Sequence, residues 1–265
     1  EGNTIAARFS GTIRITGGAR GSIDGGTIQN NRVIITDHYA SSPGIMLYEE
    51  SFCEMSGGTI RENSAVRGSA VMLYSLSTDK KANFTLSESA LITENICVKP
   101  NRSIDASGAV AVEGNSAFHM TGGSIEKNTG EKGVGVCVLD HGLLTGSGEF
   151  ETSFVMDGGR ISENQGLTGG GIYSYSNEVY LNRGVISSNT ANMGGGVYCE
   201  GNRTSYSTLH LKNAVVTQNH SEDQGGGLWL CSTGDAKVYV TNGGAVYGNT
   251  ADGAGDDVVS VEAYD

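Results

Sequence analysis

Carboxylates are the residues best placed to do chemistry in this chain. Gly255-Asp256-Asp257 sets two acids side by side. Glu222, Asp223 and Asp252 follow consecutive members of a recurring asparagine series. Glu222, Asp223, Asp252 and Asp256 are therefore expected to gather at one corner. Such a group offers the oxygen ligands that Ca²⁺ takes. Two acids roughly 5–10 Å apart would also suit cleavage of a glycosidic bond. A solvated acidic corner explains the same residues more simply. The five cysteines, at 53, 97, 137, 199 and 231, are odd in number and lack a CxxC pair, so neither a disulfide framework nor a zinc site is indicated. Cys53, Cys97 and Cys199 stand where other repeats carry apolar residues and read as small core hydrophobes. Cys137 should face outward, and Cys199 and Cys231 are offset by one residue. No serine or cysteine nucleophile signature is present. The histidines are scattered, with His119 and His210 expected to point outward from equivalent strands. No catalytic residue is assigned and no cofactor is implied.

Aromatic residues offer a different chemistry. Tyr173, Tyr198 and Trp229 recur at equivalent positions after a triple glycine, with Tyr175 beside them. An exposed stripe of rings would suit a sugar or a protein partner, because its faces are apolar and its tips polar. Tyr173, Tyr175, Tyr198 and Trp229 are accordingly the candidate ligand-binding residues. Stacking between repeats, or coverage by a loop, is the structural alternative.

The elements that must position these residues are repeats. The unit "GGTIRENSA" from Gly57 has relatives from Gly25, Gly122, Gly158 and Gly243, and looser copies from Ser89, Arg183 and Asn213. Each has Ile or Val three residues before an Asn. The series is Asn31, Asn63, Asn95, Asn128, Asn164, Asn189, Asn219 and Asn249, with steps of 32, 32, 33, 36, 25, 30 and 30 residues. Three strand-like pieces fill each unit. One is an apolar-x-apolar segment such as Phe118/Met120, the second is the GG-x-Ile piece, and the third follows the triple glycine, as in Val197/Cys199. Period-two alternation gives each strand two faces. No sustained helical stripe occurs. This pattern predicts an all-β, single-stranded parallel β-helix of about eight coils with three short strands per coil. It forms one domain over residues 1–265, with a long loop insertion at 139–153. Glycine is expected at corners that need positive φ. The Asn series is expected to form a buried ladder that satisfies turn backbone.

These pieces, GG-x-Ile-x-x-Asn and "GGGVY", resemble the repeats of bacterial surface and adhesin proteins with right-handed parallel β-helices. They are similar in style to those of the chlamydial polymorphic outer-membrane proteins. The likeness runs from about Ile13 to Asp257 and implies a right-handed coil and an exported, extracellular location at a bacterial cell surface. It also implies a non-enzymatic adhesin, binding or stalk role, with a glycan or host surface protein as partner and flanking domains of a larger chain. Polysaccharide lyases and hydrolases share this superfold and supply the alternative function. Against it, the chain has no NTD, GHG or RIK segment. The nearest string, Asp140-His141-Gly142, lies in the insertion.

Composition bounds the rest. There are 41 glycines without a three-residue period, and 37 % of residues are hydrophobic, which excludes collagen and low-complexity disorder. A net charge of −12 argues against nucleic acid and anionic membrane surfaces as partners. No apolar run is long enough to span a bilayer. Starting at Glu1, the chain reads as a trimmed segment. Its acidic end, "GDDVVSVEAYD", is expected to guard one end of the stack by charge.

Overall fold

The computed structural model describes residues 2–7, 9–34, 41–97, 107–140, 150–201, 207–231 and 236–261. Every regular element among them is a β-strand. Every ladder between strands is parallel, and each joins a strand to its counterpart one repeat away.

Two large sheets result. Sheet I has nine strands and contains the pieces after the triple glycines, among them Val136–Leu139, Ile172–Tyr175, Val197–Glu200 and Leu228–Cys231. Sheet II has eleven and contains the apolar-x-apolar and GG-x-Ile pieces. In Ser153–Ser162, Glu178–Ser187 and Thr208–Thr217 those two pieces run together as one strand. Short strands following the asparagines form a four-stranded and a three-stranded sheet, linked by single bridges through Thr129 and Gln165.

Period-two alternation decides what lies between sheets I and II. Phe84/Leu86, Phe118/Met120, Phe154/Met156, Val179/Leu181 and Leu209/Leu211 from sheet II are buried against Val71/Leu73, Val110/Val112, Val136/Val138 and Val197/Cys199 from sheet I. Equivalent side chains stack on one another. Phe84, Phe118 and Phe154 form a ring column with centroids 5.5 and 4.9 Å apart. The expected pair Val238/Val240 departs from this pattern. Val240 is 54 % exposed, because among the described residues the strand Lys237–Val240 has a neighbour on one side only.

The asparagine column is present as expected. All eight members are buried, and each hands its backbone N–H and its Nδ2 to the Oδ1 of the next. Asn128, for example, donates to Asn164 Oδ1 from both atoms, at 3.1 and 2.9 Å. Nδ2 also reaches the carbonyl of the Ile or Val in the preceding repeat, as Asn164 does to Ile125 at 3.0 Å. That carbonyl explains the Ile-x-x-Asn spacing. The residue before each ladder Asn has positive φ, from +54° to +64° (Asn30, Glu62, Glu94, Lys127, Glu163, Ser188, Gln218, Gly248). A left-handed residue is what turns the chain so that the amide enters the interior. The column is longer than its motif. Asn3 joins it through Asn31 Oδ1 at 2.8 Å, and Asn249 donates to Asp257 Oδ1 at 3.0 and 2.9 Å.

The triple glycines correct one expectation. Only the first of each set has positive φ: Gly169 +62°, Gly194 +63°, Gly225 +68°. The third is needed for space. A Cβ on Gly196 would lie 2.6 Å from the Gly227 carbonyl oxygen and 3.0 Å from Asn219 Nδ2. Glycine there lets the next repeat's ladder amide pack against the backbone.

Candidate functional site

Tyr173, Tyr198 and Trp229 do sit at matched registers on the outer face of sheet I. They are not an exposed stripe. Only 2, 6 and 8 % of their surfaces remain accessible. With Met46, Met72, Tyr74, Ala111, Cys137 and Leu139 they make a second apolar cluster, against which the half-buried Tyr175 packs. Cys137 therefore faces outward from the sheet and is nonetheless fully buried. The rings spend their faces on each other, with Tyr173–Tyr198 at 5.4 Å and Tyr198–Trp229 at 4.2 Å, their planes nearly parallel. Lys132 Nζ lies 5.1 Å over Tyr173, and the Tyr173 hydroxyl donates to Glu200 Oε2 at 2.7 Å. Burial, reinforced by the Glu200 charge, raises both phenol pKa values. This row is a packing device. The insertion expected at 139–153 lies outside the described residues over 141–149.

The accessible ring column lies on sheet II. Tyr180, His210 and Tyr239 are in register and stack at 4.4 and 5.3 Å, within 6° and 16° of parallel. Tyr239 is 50 % exposed, while Tyr180 and His210 are half-buried. The alternation that buries Val179/Leu181 and Leu209/Leu211 turns Tyr180 and His210 outward, so the expected outward direction of His210 is met. Lys237 and Lys212 share this face, two residues before Tyr239 and two after His210. Glu178 accepts the Tyr180 hydroxyl hydrogen. On the same row His119 Nε2 is 2.7 Å from Asp157 Oδ2, and Asn182 Nδ2 donates to Asp157 Oδ1 at 2.9 Å. The His119 hydrogen bond, followed by that from Asn182, holds the Asp157 carboxyl below its ordinary range. A shallow groove of about 360 Å³ lies on the same sheet, between Thr27, Thr59, Arg61 and Glu126. The sequence carries the signal for the column, since Tyr180, His210 and Tyr239 each stand between two inward apolar residues. The triple glycines simply direct attention to the other sheet.

The acidic corner does not assemble a cation site. Asp256 Oδ1 accepts the Ala251 N–H at 2.8 Å, and Asp252 lies 3.8 Å from His220 Nε2. No group of three His, Cys, Asp or Glu side chains among the described residues is close enough to hold a metal. All five cysteines are free thiols, four of them buried. Burial pushes the Cys97, Cys137 and Cys199 thiols up to about 12 and Cys53 to about 11, the opposite of what a reactive thiol requires. One feature has no sequence signature. Arg67 and Glu113 form an ion pair that is almost completely buried, with the Arg67 guanidinium 5.8 Å from the Tyr74 ring centroid. No helix of the described chain is long and apolar enough to cross a membrane.

No family model, curated protein or solved structure matches this chain.

Proposed function

We propose that the parallel sheets are the faces of one right-handed β-helix of about eight coils, and that this solenoid belongs to a bacterial cell-surface protein. Support for the solenoid comes from the asparagine column, which links every repeat to the next in strict order. Its role is recognition of a glycan or a host surface protein without chemical turnover. The observation that carries this reading is the accessible column Tyr180–His210–Tyr239. Aromatic side chains are expensive to leave in water unless they serve a contact. Here they are ordered by stacking and edged with tyrosine hydroxyl and lysine ammonium groups, a mixture that suits sugar hydroxyls above an apolar ring face. Tyr239 is stacked on His210 and keeps half of its surface accessible.

A glycan and mucin binding screen of the chain, repeated with a Tyr180→Ala/Tyr239→Ala double variant, tests this. Binding by the parent and its loss in the variant, with an almost unchanged melt, is the expected result. Equal binding by parent and variant would move the site elsewhere. Absence of binding to any glycan or mucin would end the glycan reading.

A further inference from the structure

We infer, on the reading that the Tyr180–His210–Tyr239 column binds sugar, that its ligand is an acidic glycan bearing carboxylates, and that Arg160, Arg183 and Lys212 select it. Asp and Glu outnumber Lys and Arg by 29 to 17 in this chain, so a surface cation ordinarily finds an acid. Arg61, Lys80, Lys81 and Lys127 each lie 3.2–3.8 Å from a glutamate carboxylate. Arg160, Arg183 and Lys212 have no acid within ion-pair reach among the described residues. Arg160 and Arg183 are exposed and Lys212 is half-buried. Arg160 Nη1 donates to a neutral partner, Ser187 Oγ, at 3.0 Å. Arg183 is the register partner of Asp157, but both oxygens of that carboxylate are taken, Oδ2 by His119 and Oδ1 by Asn182.

The strands set these cations beside the rings. Ser153–Ser162, Glu178–Ser187 and Thr208–Thr217 are consecutive neighbours in sheet II, about 4.8 Å apart, and each carries one of the three. Lys212 follows His210 by two residues and shares its outward direction, about 7 Å along the strand. Arg183 follows Tyr180 by three, at the bend where Gly184 takes a φ of +114°. The stacked pair Tyr180–His210, 4.4 Å apart, is thus bordered on one side by positive charge. The only acids on these three strands are Asp157 and Glu178. Three cations against two acids leave one net positive charge here, on a chain that carries −12. A ligand that satisfies both features has a sugar's ring surface and a negative group within one ring's width of it. Guanidinium groups hold carboxylates through paired N–H donors. The small local excess suits isolated carboxylates. A densely sulfated chain extending beyond these strands would meet the negative charge of the rest of the molecule and be repelled.

The test is isothermal titration calorimetry of the chain with matched sugars: sialyllactose against lactose, a hyaluronan oligosaccharide against its carboxyl-reduced form, and a heparin oligosaccharide. The parent should bind at least one carboxylated sugar about tenfold or more tightly than its neutral counterpart, and the preference should shrink as salt is raised. Arg160→Gln/Arg183→Gln/Lys212→Gln should abolish the preference with an almost unchanged melt. Should that variant fail to fold, Arg183→Gln/Lys212→Gln keeps the Arg160–Ser187 bond and should still lose most of the preference. Neutral sugars bound as tightly as acidic ones overturn the inference and leave the glycan reading standing, as does a preference that survives in a folded variant. Heparin bound more tightly than either carboxylated sugar assigns the cations to sulfate and also overturns it. Absence of binding to every one of these sugars ends this inference and counts against the glycan reading as well.

Discussion

Single residues matter here through their place in a column. Asn128 makes four donor contacts, to Asn164 twice, to the Ile92 carbonyl and to the Glu126 carbonyl, and accepts two from Asn95. Asn128→Ala would leave buried partners unpaired on both sides, so a loss of about 1–3 kcal/mol is expected from denaturant unfolding. Asn249→Ala should lie at the low end, because its outer partner Asp257 is half-exposed and regains water. Asp157 behaves differently. Its carboxyl is held low by hydrogen bonds from His119 and then Asn182. The folded group thus binds its proton less readily than the unfolded one, which titrates near pH ~4. Its contribution to stability is complete above that value and is lost as pH falls through the depressed folded value. The side chain is 42 % exposed, so the effect should be small. The difference in unfolding midpoint between parent and Asp157→Asn should shrink as the pH is lowered from neutral to below 4. A difference that persists unchanged there would assign the contact no such role.

At the level of strands and sheets, period-two alternation distinguishes the two faces of each strand but says nothing about what covers the outer one. Tyr173, Tyr198 and Trp229 were correctly legible as one row facing away from the main core. Their burial was not, because it depends on neighbours such as Met193, which precedes a triple glycine, and Val259, the register partner of Trp229 on the next strand. Cys137 shares that history. Tyr180, His210 and Tyr239 carry the same alternation signal on sheet II, and there the outer face stays accessible. The two ring columns should respond oppositely to truncation. Trp229→Ala in the sheet I column should cost about 3 kcal/mol or more, as large aromatic deletions in cores do. Tyr239→Ala in the sheet II column should change the melting temperature little. Comparable melts for the two variants would show that the sheet I rings are not packed as described.

For the molecule as a whole, the repeat made the all-β class and the parallel pairing legible, since eight Ile/Val-x-x-Asn copies can share a buried column only if equivalent residues stack. Two further members of that column were not legible. Asn3 lacks the Ile-x-x-Asn context, and Asp257 reads as one more acid in an acidic tail until its bonds from Asn249 are known. The Arg67–Glu113 pair was hidden for a similar reason, because its partners lie 46 residues apart with no motif to connect them. Global opening can be followed through the thiols. With Cys97, Cys137 and Cys199 near 12 by burial, their thiolate fraction at mildly alkaline pH is minute, and reagent access requires unfolding. Iodoacetamide should modify the partly exposed Cys231 first. The four buried thiols should follow together at the rate of unfolding. Separate rates for Cys53 and Cys199 would instead reveal opening of the stack in parts.

The uniform direction of the asparagine column has an electrical consequence. Along each strand successive peptide groups point to opposite neighbours, so their moments along the column nearly cancel, but these side-chain amides are linked in one direction, N–H toward Asp257 and C=O toward Asn3. Their moments add, as peptide moments do along an α-helix. A chain whose regular elements are all strands thus carries its own macrodipole, with the positive pole at Asn249 and a carboxylate seated on it. That is where a helix, too, prefers its acids.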